Sequence, residues 1–166
     1  PLEKMAIKPN FVECPATPAP SRRSGGMFIG RLSPEKGIAT LAAALQRLPG
    51  LQIDVYGNGP LQEMVERTAG LRYCGFQPAE VLRERMLHAA YLVVPSTGIE
   101  SFGLVAIEAF ACGTPVIASG HGGLGEIVVH RRNGLLFSPG DPDELAGALR
   151  HAEREPADMR RMGAEA

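Results

Sequence analysis

Apolar positions along the chain fall into short runs separated by longer stretches with helical spacing. Met27 to Gly30, Leu51 to Tyr56, Leu71 to Cys74, Tyr91 to Val94, Val116 to Ala118 and Gly134 to Phe137 each predict a strand. Apolar residues at 38, 41, 42, 45 and 48 predict a helix that opens near Ser33 and stops at Pro49-Gly50. Further helices are predicted for Leu61 to Thr68, Ala79 to Ala89, Phe102 to Cys112 and Asp141 to about Ala152. Strands and helices alternate throughout. This order predicts an α/β fold, a Rossmann-like, doubly wound, mostly parallel sheet with helices on both faces. Ligands of such sheets bind in the crevice outside the C-terminal ends of the strands.

The flanks differ from this core. Prolines at 1, 9, 15, 18 and 20, followed by Ser21-Arg22-Arg23-Ser24-Gly25-Gly26, predict a linker over residues 1–26, which leaves one domain over 27–166. The chain opens without Met, which suggests a fragment that starts near a domain boundary. Ser119 to Glu126, SGHGGLGE, reads as a flexible loop, with His121 facing solvent and Glu126 structural. Arg150 to Ala166 reads as a polar helix trailing into a frayed end.

Candidate chemistry concentrates between Val94 and Val116. A strand ends at Pro95, a loop carries Ser96, Gly98, Glu100 and Ser101, and an apolar helix follows. Ser101 is placed to cap that helix, which leaves backbone N–H groups around Phe102, Gly103, Leu104 and Val105 free for an anion such as a phosphate. Glu108 lies among Leu104, Val105, Ala111 and Cys112 at helical spacing, where nothing balances a carboxylate. It either accepts hydrogen bonds from outside its helix, as from the vicinal hydroxyls of a ribose, or caps a neighbouring segment or lies on a wet edge.

Other strand ends add candidates. Gly30-Arg31 closes the first strand, and Ser33-Pro34-Glu35 is an ordinary helix start with Lys36 in the first turn. A cation there opposes the helix dipole and calls for a nearby anion. Gly57 and Gly59 would let a ligand approach the backbone after the second strand. Gly75 and Phe76 follow the third, with Phe76 either stacking on a ligand or filling core, and core favoured.

Composition narrows the classes. A formal net charge of -1 over 166 residues gives no general attraction to nucleic acid or to an anionic membrane. No apolar run approaches a membrane span. Cys14, Cys74 and Cys112 form no C-x-x-C pair and suit a reducing compartment, hence a cytoplasmic location, with Cys74 and Cys112 in the core. His88, His121, His130 and His151 lack metal-ligand spacing and suit surface or edge positions. Asp141-Pro142-Asp143-Glu144 has an Asp-x-Asp, a metal motif elsewhere, but also the order of a helix cap, which is the reading adopted.

Glu100 and Glu108 have seven residues between them, and PSTGIESFGLVAIEAFACGTPVIAS resembles the E-x7-E region of retaining glycosyltransferases of GT-B architecture, specifically glycosyltransferase family 4, or group 1. GRLSPEKG, the GNGP turn and the A-x-G-x-P-V-I-A exit carry the same resemblance, from about Met27 to about Leu149. Gly125 departs from the family's G-G-x-P-E, where a proline is usual. The resemblance implies the C-terminal, donor-binding half of such an enzyme, with a nucleotide sugar as substrate and no metal or other cofactor. Arg31 and Lys36 would bind the diphosphate, Gly30 and the amides from Phe102 to Val105 the phosphate and sugar, Glu108 the ribose and Glu100 the sugar hydroxyls. The loop at Gly75 would lie beside the base. An N-terminal domain would bind the acceptor and provide any membrane attachment, and the fragment would bind nucleotide without turning over.

Two other classes fit the fold. A nicotinamide-dependent module would want a full Gly-rich fingerprint after the first strand and an acidic residue ending the second; Gly30-Arg31 and Gly57 stand there. A receiver-like module would want an aspartate where Pro95 stands.

Overall fold

The structure, a computed structural model, describes residues 23–100 and 102–166. Its sheet has six parallel strands: β1 (Gly26–Ile29), β2 (Ile53–Tyr56), β3 (Leu71–Gly75), β4 (Tyr91–Val94), β5 (Val116–Ser119) and β6 (Gly134–Phe137). They lie in the order β3-β2-β1-β4-β5-β6, so the chain reverses direction across the sheet between β1 and β4. In open α/β sheets that switch point opens the ligand crevice.

Both faces are covered, as a parallel sheet requires. On one face Phe28, Val55, Val93 and Ile117 pack with α1 (Ile38–Leu45), α2 (Gln62–Arg67) and α6 (Pro142–Arg154) through Leu41, Val65, Leu145 and Leu149. On the other, Met27, Leu92, Val94 and Val116 meet α3 (Ala79–His88), α4 (Leu104–Ala111) and α5 (Gly122–Ile127) through Met86, Ala106, Ala109 and Leu124. Successive strand residues alternate between the two cores, the period of an extended chain.

Several expectations are corrected. The helix expected from Ser33 is split: Pro34–Lys36 is a 3-10 turn, Gly37 turns left-handed at φ 69°, and α1 starts only at Ile38. The reason is a close approach, since a side chain at Gly37 would run into the Pro95 backbone. Ser33 caps nothing; its hydroxyl donates to Glu35 Oε1 at 2.5 Å. The Gly-rich stretch after β5 is the helix α5, held by fully buried Leu124 despite its glycines. The C-terminal stretch does not fray: α7 (Pro156–Ala164) docks on the core through Met159 and Met162. Cys112 is buried as expected, but Cys74 is only half-buried on the edge strand β3.

The helix-cap reading of Asp141 holds. Its carboxylate accepts from the N–H groups of Asp143 (2.8 Å) and Glu144 (3.0 Å) at the start of α6, while Asp143 pairs with Arg47. Among the described residues no helix is long and apolar enough to cross a membrane.

Candidate functional site

A cavity of about 480 Å³ opens at the C-terminal ends of β1 and β4, beside the switch point. Three pieces of chain form its walls: Gly30, Arg31 and Lys36 after β1, Ser96 and Glu100 after β4, and Gly103 to Val105 with Glu108 at the start of α4. Its size suits a small-molecule site, for which about 300–1,000 Å³ is usual.

The walls are locked to each other. The N–H groups of Thr97 and Gly98 both donate to the Glu35 carbonyl, at 2.9 and 3.0 Å, which ties the loop after β4 to the 3-10 turn. Across that junction Lys36 Nζ donates to Glu100 Oε1 at 2.5 Å, and Ser96 Oγ donates to the same oxygen at 2.8 Å. The sequence called for an anion near Lys36, and here Glu100 is that anion. Burial pushes the Glu100 carboxyl up, but the hydrogen bonds from Lys36 and Ser96, with the charge of Lys36 and the nearness of His121, outweigh it and hold the group below its ordinary range.

Ser101, expected to cap helix α4, lies outside the described residues. Gly103 occupies the cap position at φ 58°, with Leu124 and Ile127 of α5 packed where a side chain would stand. The N–H groups of Leu104 and Val105 in the first turn have no partner within the helix, and both residues line the cavity. Phe102 and Leu104 are exposed at its mouth. Glu108, one turn further on, stands on an open edge, one of the alternatives the sequence left: it is exposed on the cavity wall, and its carboxylate forms no hydrogen bond or ion pair among the described residues. Its ability to accept hydrogen bonds is unspent.

Some predicted residues are not brought to this cavity. Gly57, at φ 132°, lies against the Gly30 carbonyl, and Gly59 against the backbone of Leu32. The space beside them is filled by the chain leaving β1, which is held by Gly30 N–H to Tyr56 O (3.0 Å) and Leu32 N–H to Asn58 O (2.9 Å). Gly75 ends β3 in a left-handed turn, and Phe76 beyond it is 70% exposed, so the preference for a core ring is corrected. His121 is corrected too: it is half-buried, with Nε2 3.1 Å from the Gly98 carbonyl. Ser96 went unmarked in the sequence as a partner for Glu100, because only the folded loop turns the two toward each other.

A second cavity, of about 350 Å³, lies beside α3 and strands β1 and β2, lined by Gln52, Asp54, Arg72, Arg85 and His88 among others. None of the predicted site residues lines it. Arg72 is already engaged by Asp54, at 2.6 and 2.7 Å.

The comparison with known families agrees with the resemblance. The model of the family described as "Glycosyl transferases group 1" matches residues 19–166. The chain belongs to the group 1 glycosyl transferases. This glycosyltransferase domain is 37% identical over 147 residues to a glycogen synthase of Mycobacterium tuberculosis, a match covering 81% of this chain and 35% of that protein. Among solved structures, sucrose-phosphate synthase from Thermosynechococcus elongatus is 36% identical with a TM-score of 0.77, over 90% of this chain and 40% of that one. The Anabaena protein HepE, crystallised with UDP and glucose, is 29% identical with a TM-score of 0.75, over 87% of this chain and 42% of that one. The fold is that of GT-B glycosyltransferases. The chain spans about a third of the length of the curated relatives it matches. Membership in this family separates it from the oxidoreductase and receiver modules that the bare fold also allows.

Proposed function

We propose that this glycosyltransferase domain binds the donor of a retaining, metal-independent transfer of a hexose from a nucleoside-diphosphate sugar. One observation carries the reading: Arg31, Lys36, Glu100, Glu108 and the first turn of α4 all line one cavity at the strand ends. Departure of a nucleoside diphosphate builds negative charge on phosphate oxygens. Two cations and a set of unpaired N–H groups, fixed in place before the reaction, stabilise that charge without reorganising. No metal is needed in this scheme, and Asp141 and Asp143 are engaged in a helix cap and an ion pair.

The roles follow from position. Arg31 and Lys36 neutralise the diphosphate, with Lys36 shared between it and Glu100. Gly30 and the amides from Phe102 to Val105, with Ser101 beside them, hold phosphate and sugar. Glu100, held by Lys36 and Ser96, accepts from hydroxyls of the sugar, and the unpaired Glu108 accepts from the ribose. Gly57 and Gly59 act by letting the loop after β1 pack closely. The exposed ring of Phe76, set by the turn at Gly75, is available to stack on the base. The UDP bound in the HepE structure supports UDP as the first nucleotide to try.

The acceptor is assigned to a further domain, as expected of a chain that spans a third of its relatives, and the chain by itself binds donor without transferring sugar. Calorimetric titration with UDP, GDP, ADP and NAD, with and without magnesium, tests the reading. One nucleoside diphosphate binding independently of magnesium is the expected result. Binding of NAD alone, a strict magnesium requirement, or sugar transfer by the isolated chain would each contradict a named part of it.

A further inference from the structure

Helix α5 is a poor helix by composition, with glycines at 122, 123 and 125 of its six residues. Glycine is among the least favourable residues for a helix. The position of α5 explains why these glycines are kept. Gly122, at φ 54°, lies so close to the backbone of Glu100 and the side chain of Ile99 that a Cβ would crowd both. Gly123 N–H donates to the Glu100 carbonyl at 2.7 Å. Leu124 and Ile127 abut Gly103, the cap of α4. The start of α5 therefore braces two walls of the cavity at once.

His121 supplies the side-chain part of this brace. It occupies the cap position of α5, where a serine, threonine or aspartate would bond the helix N–H groups, yet its side chain caps nothing. Instead Nε2 reaches the Gly98 carbonyl at 3.1 Å. A carbonyl oxygen only accepts, so Nε2 carries the proton in this contact. Nδ1 is buried without a hydrogen-bond partner. An unpaired buried polar atom is costly, and the cost is tolerated here at a contact that fixes the residue two before Glu100.

We infer that His121 is a positioning residue of the donor site, holding the Gly98–Glu100 strip so that the Glu100 carboxylate keeps its place between Lys36 and Ser96. It acts on the sugar end of the donor and leaves the ribose end alone, because its side-chain contact is with Gly98, whereas Glu108 hangs on α4. The inference rests on the donor-site reading above.

The test compares UDP with UDP-glucose on the wild-type chain, His121→Phe and His121→Gln, by calorimetry. Phenylalanine keeps the bulk and loses the donor; glutamine returns an N–H donor near the position of Nε2. The expected result is UDP affinity not weakened in any of the three proteins, and raised by up to about fivefold where Lys36 is released from Glu100, with UDP-glucose weakened about three- to tenfold in His121→Phe and restored in His121→Gln, the size of one lost hydrogen bond. Thermal melting checks that each variant is folded, and His121→Ala replaces the phenylalanine variant if that one is not. Equal weakening of both ligands, or no change in either, overturns the role of His121 while leaving the donor site standing. A wild-type chain that binds neither ligand overturns the donor-site reading itself and the inference with it.

Discussion

Lys36 Nζ lies 2.5 Å from Glu100 Oε1, so the cation assigned to the donor's diphosphate is already neutralised by the carboxylate assigned to its sugar. The two come from different strand ends, 64 residues apart, and meet only because the loop after β4 is bonded to the Glu35 carbonyl. Ligand phosphate must compete with Glu100 for this ammonium. Glu100→Gln removes the competitor and should tighten UDP about two- to fivefold, the scale of a partly exposed ion pair, while UDP-glucose gains less or loses affinity. Paired titrations of the two ligands measure it; weaker UDP binding by the variant would contradict the pairing's role.

The same pair sets an acid response. Glu100 titrates below its ordinary value of 4.5 in the folded chain, burial being outweighed by its hydrogen bonds to Lys36 and Ser96. A carboxyl depressed on folding adds stability above its unfolded pKa and loses it as pH falls through the folded one. Wild type should therefore lose melting temperature more steeply than Glu100→Gln as pH drops below about 4.5. Parallel melting curves over that range would show that the pair adds nothing to stability.

Glu108 separates binding from stability. Being exposed and unpaired among the described residues, it should tolerate replacement by alanine with a stability change under about 0.5 kcal/mol. If its carboxylate accepts from ribose, the variant should bind UDP about tenfold or more weakly, as for a hydrogen bond to a charged group. A 2′-deoxy analogue of UDP gives the check: wild type should lose affinity with it, and Glu108→Ala should lose little more.

Gly57 makes the opposite prediction. A Cβ there would collide with the Gly30 carbonyl, and its φ of 132° strains any other residue. Gly57→Ala should cost about 2 kcal/mol or more, read as a fall in the urea midpoint. An unchanged midpoint would mean that the loop after β1 moves aside without cost.

The strand pattern was legible because a parallel sheet buried on both faces leaves short apolar runs that stop at glycine or proline. Tyr91–Val94 is predicted and found with the same ends. The wall residues Arg31, Lys36, Glu100 and Glu108 were legible as motif positions. What was not legible depends on contacts between distant segments. Three glycines in six residues say loop, and only the burial of Leu124 and the grip on Glu100 make α5 a helix. Ser101 reads as a cap by residue type and lies outside the described residues, while nothing in the sequence shows that α5 packs so closely on Gly103, the cap position of α4. Helical spacing surrounds Glu108 with apolar neighbours, but those neighbours do not show that its own direction from α4 is open.

The most direct test of the donor site is a map of backbone amide shifts in the isotope-labelled chain as UDP is added. The account predicts the largest changes at Gly30, Arg31 and Gly103 to Val105, with small changes at Gly59. Shifts centred on Gln52, Arg72 and His88, around the second cavity, or no saturable shift at all, would contradict it.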